Sequence, residues 1–555
     1  MPSASFPSLL RLPALLAVAL AALAPSAAAQ RGTQVNVSPI TGLDILGDAG
    51  NEPSLAVSPV LPDQIAVGWR SFPVISSDSR WAGYAWSGDG GASFQSGGVL
   101  APPPGMPPTV EQTDPVLTVD SAGVFRFWSE VFRPSFSLHL YHSFDGGMSW
   151  PMVTPVESIV TSGDKGWIVT DTTGGPGDGN LYGGWNNFNY GGQCFVRSTD
   201  GGATFTPAKR IADRSGTQWM LHFAVGPAGE VYAAWRNYLD DAIYVTKSTN
   251  AWNVGVTPTF DAFGPGGHDG LDLKIDDSND PGFPVINPSG FHQVYVDVDR
   301  SNGPRSGWVY CVWADGRNDG ADILLARSKD GGFTWETGFR VNDDLLGNGA
   351  LQWMPAMSVA PNGRIDVLWY DTRNDLADPF PESQLYYAWS GDGGATWSVN
   401  RRASDPFDTR IGWPVQQKIG DYIQSVSRNL DVSVAYAATF HGGPDVWFRR
   451  LRPTTLSIGN LTAGGTADVT VTGGRPNEDV WLAASLTGPG STYVSGLNAT
   501  VQLANPFEAA PRQTTDANGG ATWRIPVAPG AAGRRVWAQA LQREGGSQVV
   551  TAVVQ

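Results

Sequence analysis

The sequence is poor in cysteine, histidine and lysine. Its 555 residues include two cysteines, Cys194 and Cys311, and six histidines. The cysteines fall in non-neighbouring units of a repeat described below, so no bridge is expected between them, and they read as small buried hydrophobes. No Cys/His spacing suits zinc, and His-Glu-x-x-His is absent. Lysine is confined to Lys165, Lys209, Lys247, Lys274, Lys329 and Lys418, so arginine carries most of the positive charge. Charged residues make up 16% of the chain, with a net charge of −16. With no basic stripe, nucleic acid is not expected as a partner.

Long apolar runs are missing too, with one exception at the N-terminus. Leu12 to Leu23 follows Arg11 and leads to Ala27-Ala28-Ala29 before Gln30. That run is too short to cross a bilayer and has the order of a signal peptide, so residues 1–29 read as cleaved. A secreted or extracytoplasmic chain without a transmembrane anchor is expected, and ATP-dependent chemistry leaves the list of functions.

Glycine (68), proline (41) and tryptophan (22) are abundant. That mixture suits short strands, tight turns and an aromatic core. One motif, Ser-x-Asp-Gly-Gly-x-Ser/Thr-Phe/Trp, occurs at Ser87–Phe94, Ser143–Trp150, Ser198–Phe205, Ser328–Trp335 and Ser390–Trp397. A worn copy is Ser248-Thr249-Asn250-Ala251-Trp252. Ser and Asp side chains bond turn backbone, glycine accepts positive φ, and the closing aromatic buries on the next sheet.

Each copy follows a strand-like run ending in tryptophan, such as Ile65 to Trp69 or Ile365 to Trp369, and before that lies another short strand. A seventh unit, Asp421 to Trp447, keeps both strands without the turn motif. The reading is all-β: a seven-bladed β-propeller over residues 30–451. Thr33 to Val37 resembles the fourth strand around Phe339 to Asn342 and should complete the last blade. After Arg452 the texture turns to Ala, Gly, Thr and Val, which suggests a small C-terminal β-sandwich, residues 452–555.

The five turn motifs resemble the Asp boxes (BNR repeats) of the sialidase-like β-propeller superfamily, over roughly residues 33 to 451. The resemblance implies that the boxes are peripheral and structural. It also implies a glycan-active site on the opposite face. Sialidases bind the sugar carboxylate with three arginines and use a Tyr nucleophile, a Glu partner and an Asp acid. Tyr422 matches the nucleophile by blade position. The first arginine is missing: Asn51 stands before Glu52-Pro53. Trp523-Arg524-Ile525-Pro526 spells the arginine motif but lies in the tail.

Aligning the units places Glu52, Asp114, Lys165, Met220, Gln293, Met354 and Asp421 just before the seven first strands, which line the channel. Glu52, Asp114 and Asp421 should therefore converge at its mouth, and close carboxylates shift one another's pKa unless they are neutralised. With Glu130 and Tyr422 they form the candidate catalytic set; Arg70, Arg236, Arg317 and Arg373 are candidates to bind substrate. Asp315–Arg317 and Asp371–Arg373 also fit simple turn pairs. The insertion Asn253 to His292 is acidic (His268, Asp269, Asp272, Asp276, Asp277, Asp280) and reads as a solvated loop. No cofactor is expected; calcium is the one ion this loop offers ligands for, although EF-hand spacing fails. Two functions stay open: a glycoside hydrolase acting on a glycan or cell-surface polysaccharide, and a non-catalytic glycan- or protein-binding propeller.

Overall fold

A computed structural model of the chain describes residues 34–37, 49–73, 78–133, 135–157, 163–188, 191–212, 218–260, 272–282, 287, 293–318, 320–411 and 418–555. The segment read as a signal peptide, and His268 and Asp269, lie outside them. Among the described residues the chain is all-β, apart from a short 3-10 turn at Pro529–Ala531. No helix among them is long and apolar enough to cross a membrane.

Seven four-stranded antiparallel sheets are present among the described residues. Their innermost strands are Ala49–Val57, Glu111–Val119, Gly163–Thr170, Gln218–Val225, Tyr295–Val298, Gln352–Val359 and Gln424–Ser427. Each touches the next, and the last touches the first, so the arrangement is cyclic and propeller-like. Sheets packed on both faces need strands apolar on both faces. Ile65–Phe72, Val309–Asp315 and Ile365–Asp371 are accordingly buried along their whole length. The tryptophans of these second strands (Trp69, Trp128, Trp185, Trp235, Trp313 and Trp369) are fully buried between sheets. Gly83 makes room for one of them, since a Cβ there would sit 2.6 Å from the Trp69 ring.

The last sheet takes its fourth strand from the other end of the chain. Val35 pairs with Phe448 and Asn36 with Trp447, and Val37 N donates to Val446 O at 2.8 Å. One expectation needs correction. Within the supposed loop Asn253 to His292, Asp272–Asp277 is the outer strand of the fourth sheet, running beside Ala242–Ser248. Its carboxylates are occupied: Asp276 accepts Gly338 N (2.7 Å) and pairs with Arg317 (3.3 Å), and Asp277 meets Lys274 at 2.5 Å.

The turn motifs share one hydrogen-bond pattern. Ser87 Oγ donates to Asp89 Oδ1 (2.8 Å) and accepts from Gly91 N (2.9 Å). Asp89 also accepts Ser93 N (2.9 Å) and Ser93 Oγ (2.6 Å). The same set recurs around Asp145, Asp200, Asp330 and Asp392. Gly91 is left-handed (φ 86°), and a Cβ there would lie 2.1 Å from Phe448. In the worn copy Asn250 Oδ1 accepts Thr259 N at 2.9 Å.

Beyond Arg452 lie a three-stranded sheet, a five-stranded sheet and a hairpin. Val469, Val471, Leu482, Trp523 and Ala540 form their core. This unit rests on the sixth sheet and its connections. Val399 packs with Ala483 and Leu503, Thr500 Oγ1 donates to Asp343 O (2.8 Å), and Gln548 Nε2 donates to Thr396 O (2.9 Å).

Replacing Asp89, Asp145 or Asp330 by Ala should cost ~1–2 kcal/mol in chemical denaturation, because turn donors lose their acceptor. Full stability in these variants would contradict the role assigned to the turns. Removing residues 34–37 should lower the melting temperature well beyond the usual small effect of trimming a terminus, since the last sheet loses a paired strand.

Candidate functional site

Five innermost strands carry the same irregularity. Their pairing with the second strand slips between Asn51 and Ser54, Thr113 and Val116, Asp164 and Trp167, Trp219 and His222, and Trp353 and Ala356. Inside each slip one non-glycine residue is left-handed: Glu52 (φ 53°), Asp114 (47°), Lys165 (58°), Met220 (62°) and Met354 (50°). These are the residues that alignment of the units set just before the first strands; they lie within those strands, at bulges. Left-handed backbone costs an L-residue about 1–2 kcal/mol, and a bulge re-aims its side chain. Asp421 precedes the shorter strand Gln424–Ser427 and follows Gly420, whose φ is 120°.

The three carboxylates expected to converge do so, around two lysines and an arginine. Arg70 Nη2 lies 2.8 Å from Glu52 Oε1. Lys165 Nζ reaches Glu52 (3.6 Å), Asp114 (3.5 Å) and, closer still, Asp421. Lys418 Nζ reaches Glu52 (3.4 Å) and Asp421. Glu52 and Asp421 are fully buried, and Asp114 and Glu130 nearly so. Glu130 Oε1 accepts Gly166 N at 2.7 Å. Asp164 stands beside Lys165 (3.9 Å) and is the one carboxylate here with substantial exposure, at 34%. Below the network, Trp167 packs edge-on against Tyr295 and Tyr422, and the His222 ring lies tilted against Tyr295 with centroids 4.1 Å apart. Lys165, Trp167, His222 and Tyr422 line a small cavity there.

Burial and charge divide the acids into two groups. Burial would raise Asp114 and Asp421, but Lys165 pulls both below the ordinary range, helped by Arg70 and Lys418 respectively. Burial prevails at Glu52, raising it to about 8 against Arg70 and Lys165. Glu130 is raised well above its usual value by burial and by Asp114. Burial, with Asp114 adding to it, raises Asp164 to about 7 against Lys165, while its contact with solvent works the other way. Lys165, despite burial, is held firmly charged by Asp114, Asp421 and Glu52. Asp114 and Asp421 are therefore the readily ionised members of the centre, while Glu52, Glu130 and Asp164 hold their protons more firmly than free carboxyls do.

The remaining candidates sit elsewhere or are already engaged. The Tyr422 hydroxyl donates to Pro115 O (3.0 Å), and burial raises it well above its usual range, so it is a wall of the channel and not an exposed nucleophile. Arg70 is buried, and its Nε donates to Asn51 Oδ1 (2.8 Å), so the residue standing where sialidases have arginine serves to hold Arg70. Arg236 is fully buried and donates to Ser278 Oγ (3.2 Å) and Ala314 O (3.1 Å). Arg317 is held by Asp315 and Asp276, and Arg373 by Asp371 and Asp343. Asp315 and Asp371 also accept their own strand's Trp313 and Trp369 indole N–H (2.8 Å each). Arg317 and Arg373 clamp turns, Arg236 ties the fourth sheet to the Val309–Asp315 strand of the fifth, and none of the three pairs with a central carboxylate. Sequence reasoning missed Lys418 and Asp164 and gave Lys165 no role, although Lys165 stood in the aligned series.

Asp114, Glu130 and Asp164 offer oxygens within 4.8 Å of one another, a spacing that suits a metal ion. The Lys165 ammonium lies beside two of the three and supplies positive charge there.

An all-β ring with Asp-box-like turns resembles the sialidase-like propellers. No protein-family model matches the sequence, and no curated protein does. Among solved structures, the chain is similar to a Hadza microbial sialidase (14% identity, 73% of this chain and 66% of that one, TM-score 0.37). It is similar to an α-L-arabinanase of Penicillium chrysogenum (14%, 64% and 98%, TM-score 0.39). It is also similar to a polysaccharide lyase acting on ulvan (11%, 76% and 96%, TM-score 0.43). Identity this low bears on sheet arrangement alone, and with these TM-scores the fold rests on the chain's own topology.

Glu52 is protonated when folded and ionises above its ordinary value, so its contribution to stability is full below about pH 4.5 and fades as pH rises towards 8. Glu52→Gln should match wild type at pH 5 and become progressively more stable than it towards pH 8.5 in thermal melts. A difference constant with pH would show that Glu52 is ionised throughout.

Proposed function

We propose that the chain is a secreted seven-bladed propeller, residues 30–451 after a signal peptide 1–29, with a C-terminal β-sandwich accessory unit, residues 452–555. It acts on glycans, as a glycoside hydrolase whose site lies at the channel mouth. The observation that carries this reading is the grouping of Asp114, Glu130 and Asp164 within 4.8 Å. Acid-assisted cleavage of a glycosidic bond requires two neighbouring carboxyls, one ionised and one protonated. Asp164 reaches solvent and serves as the acid that protonates the leaving oxygen. Asp114, ionised beside Lys165, stabilises the sugar cation that develops, and water then adds to that cation and returns its proton to Asp164. Glu52, Asp421, Lys418 and Arg70 fix Lys165 and so keep Asp114 charged. Calcium is not required, because Lys165 supplies the local positive charge.

A non-catalytic glycan- or protein-binding propeller is the second reading. The full burial and shared ion pairing of Glu52 and Asp421 favour it, since such a network also serves as a plug.

Purified protein should hydrolyse at least one member of a glycan panel that includes sialosides and β-glucans. Asp164→Asn should slow that reaction by about 10²–10⁴-fold with the melting curve retained, Asp114→Asn should slow it and also melt lower because Lys165 loses a buried partner, and EDTA should change neither rate nor melting. Binding of a panel member without turnover would decide for the second reading.

A further inference from the structure

Away from the channel, the C-terminal unit meets the sixth and seventh sheets along a seam rich in arginine. Arg401 and Arg402 form a short outer strand of the sixth sheet, Arg449 lies on the Asp445–Leu451 strand, and Arg475 comes from the C-terminal unit. Arg401 is 7% exposed. Its Nη1 donates to Arg452 O (3.2 Å) and Gly473 O (3.3 Å), and its Nε has no partner. Arg449 Nε and Arg475 Nη2 are likewise buried without a hydrogen-bond partner. Glu544 answers Arg402 (3.0 Å) and Glu478 answers Arg475 (3.1 Å). Among the described residues no carboxylate lies within ion-pair distance of Arg401 or Arg449. Asp405 acts on Arg449 only from further off, and its own carboxylate accepts Gln34 Nε2 (3.4 Å).

Like charges taken out of water without a counter-ion are costly, and so is each buried donor left unmatched. Arginine donors that share one seam suit a multivalent acceptor such as a tetrahedral oxyanion, which offers several oxygens at once. The geometry points to an oxyanion seat at this seam, taking a sulfate or phosphate group either as the free ion or as an ester on a glycan, with Arg401, Arg449 and Arg475 as its donors. Burial, with Arg449 and Arg475 adding to it, lowers Arg401 to about 9, which agrees with a cation lacking its anion. Arg402 and Arg475 are partly open to solvent and mark the way in. The seat uses none of the channel residues, so it stands apart from the hydrolase reading.

The test is thermal unfolding of the full chain at constant ionic strength, with chloride replaced stepwise by phosphate or sulfate up to about 10 mM, where a specific site saturates and stabilises by mass action. The melting temperature should rise and level off with phosphate, and Arg449→Gln should abolish that rise. In chloride alone Arg449→Gln should melt no lower than wild type, because it relieves repulsion; a merely structural arginine would lower it. Phosphate titrated calorimetrically into Arg475→Gln should bind at least about tenfold more weakly than into wild type, the effect of losing a charged hydrogen bond. No gain over chloride, or the same gain in wild type and Arg449→Gln, would overturn the seat. Short dextran sulfate set against plain dextran separates the sources: competition with phosphate assigns the ester, and its failure assigns the free ion. None of these readouts depends on turnover, and Arg449→Gln should leave any hydrolysis unchanged.

Discussion

The centre of the ring depends on Lys165. Innermost strands meet where there is least room, and bulges turn a carboxylate into that space from the first and second sheets. Asp421 adds another from the last. Acids so placed would repel one another and lose hydration. A single ammonium in contact with Glu52, Asp114 and Asp421 cancels much of that cost, and Arg70 and Lys418 cancel more. The same cation separates the acids into ionised and protonated members. Structural neutralisation and the tuning of acids are thus one arrangement.

Much of the fold was legible because it repeats. Five Ser-x-Asp-Gly-Gly turns and six strands ending in tryptophan each report a local rule, and a local rule survives in one sequence. The Asp272–Asp277 strand was hidden because a long segment separates it from Ser248, which broke the spacing that revealed its counterparts. Its acidic composition, moreover, reads as solvated until Arg317 and Gly338 are seen to engage Asp276.

The site was legible to a different depth. Alignment brought Glu52, Asp114 and Asp421 together, since equivalent positions on neighbouring sheets must meet at the axis. It did not disclose the bulge, because no glycine marks it: Glu, Asp, Lys and Met occupy the left-handed position. Nor did it show that Lys165 answers three acids at once, a fact of the ring and not of any unit. Arg317 and Arg373 looked like ligands because they recur, yet recurrence signified a turn clamp, with Asp315 and Asp371 two residues away. Arg70 recurs less and proved central.

The closing strand has a consequence for how the molecule comes into being. Val35 is made before any of the sheets, and its partner Phe448 follows only after six of them have been made. Until the two pair, the Asp445–Leu451 strand has a bare edge, and before that strand is made the first sheet has a neighbour on one side only. Open strand edges invite pairing with other chains, and contacts between such distant residues form slowly. The ring is therefore least protected just before completion, and the N-terminal strand acts as the last fastener although it is made first.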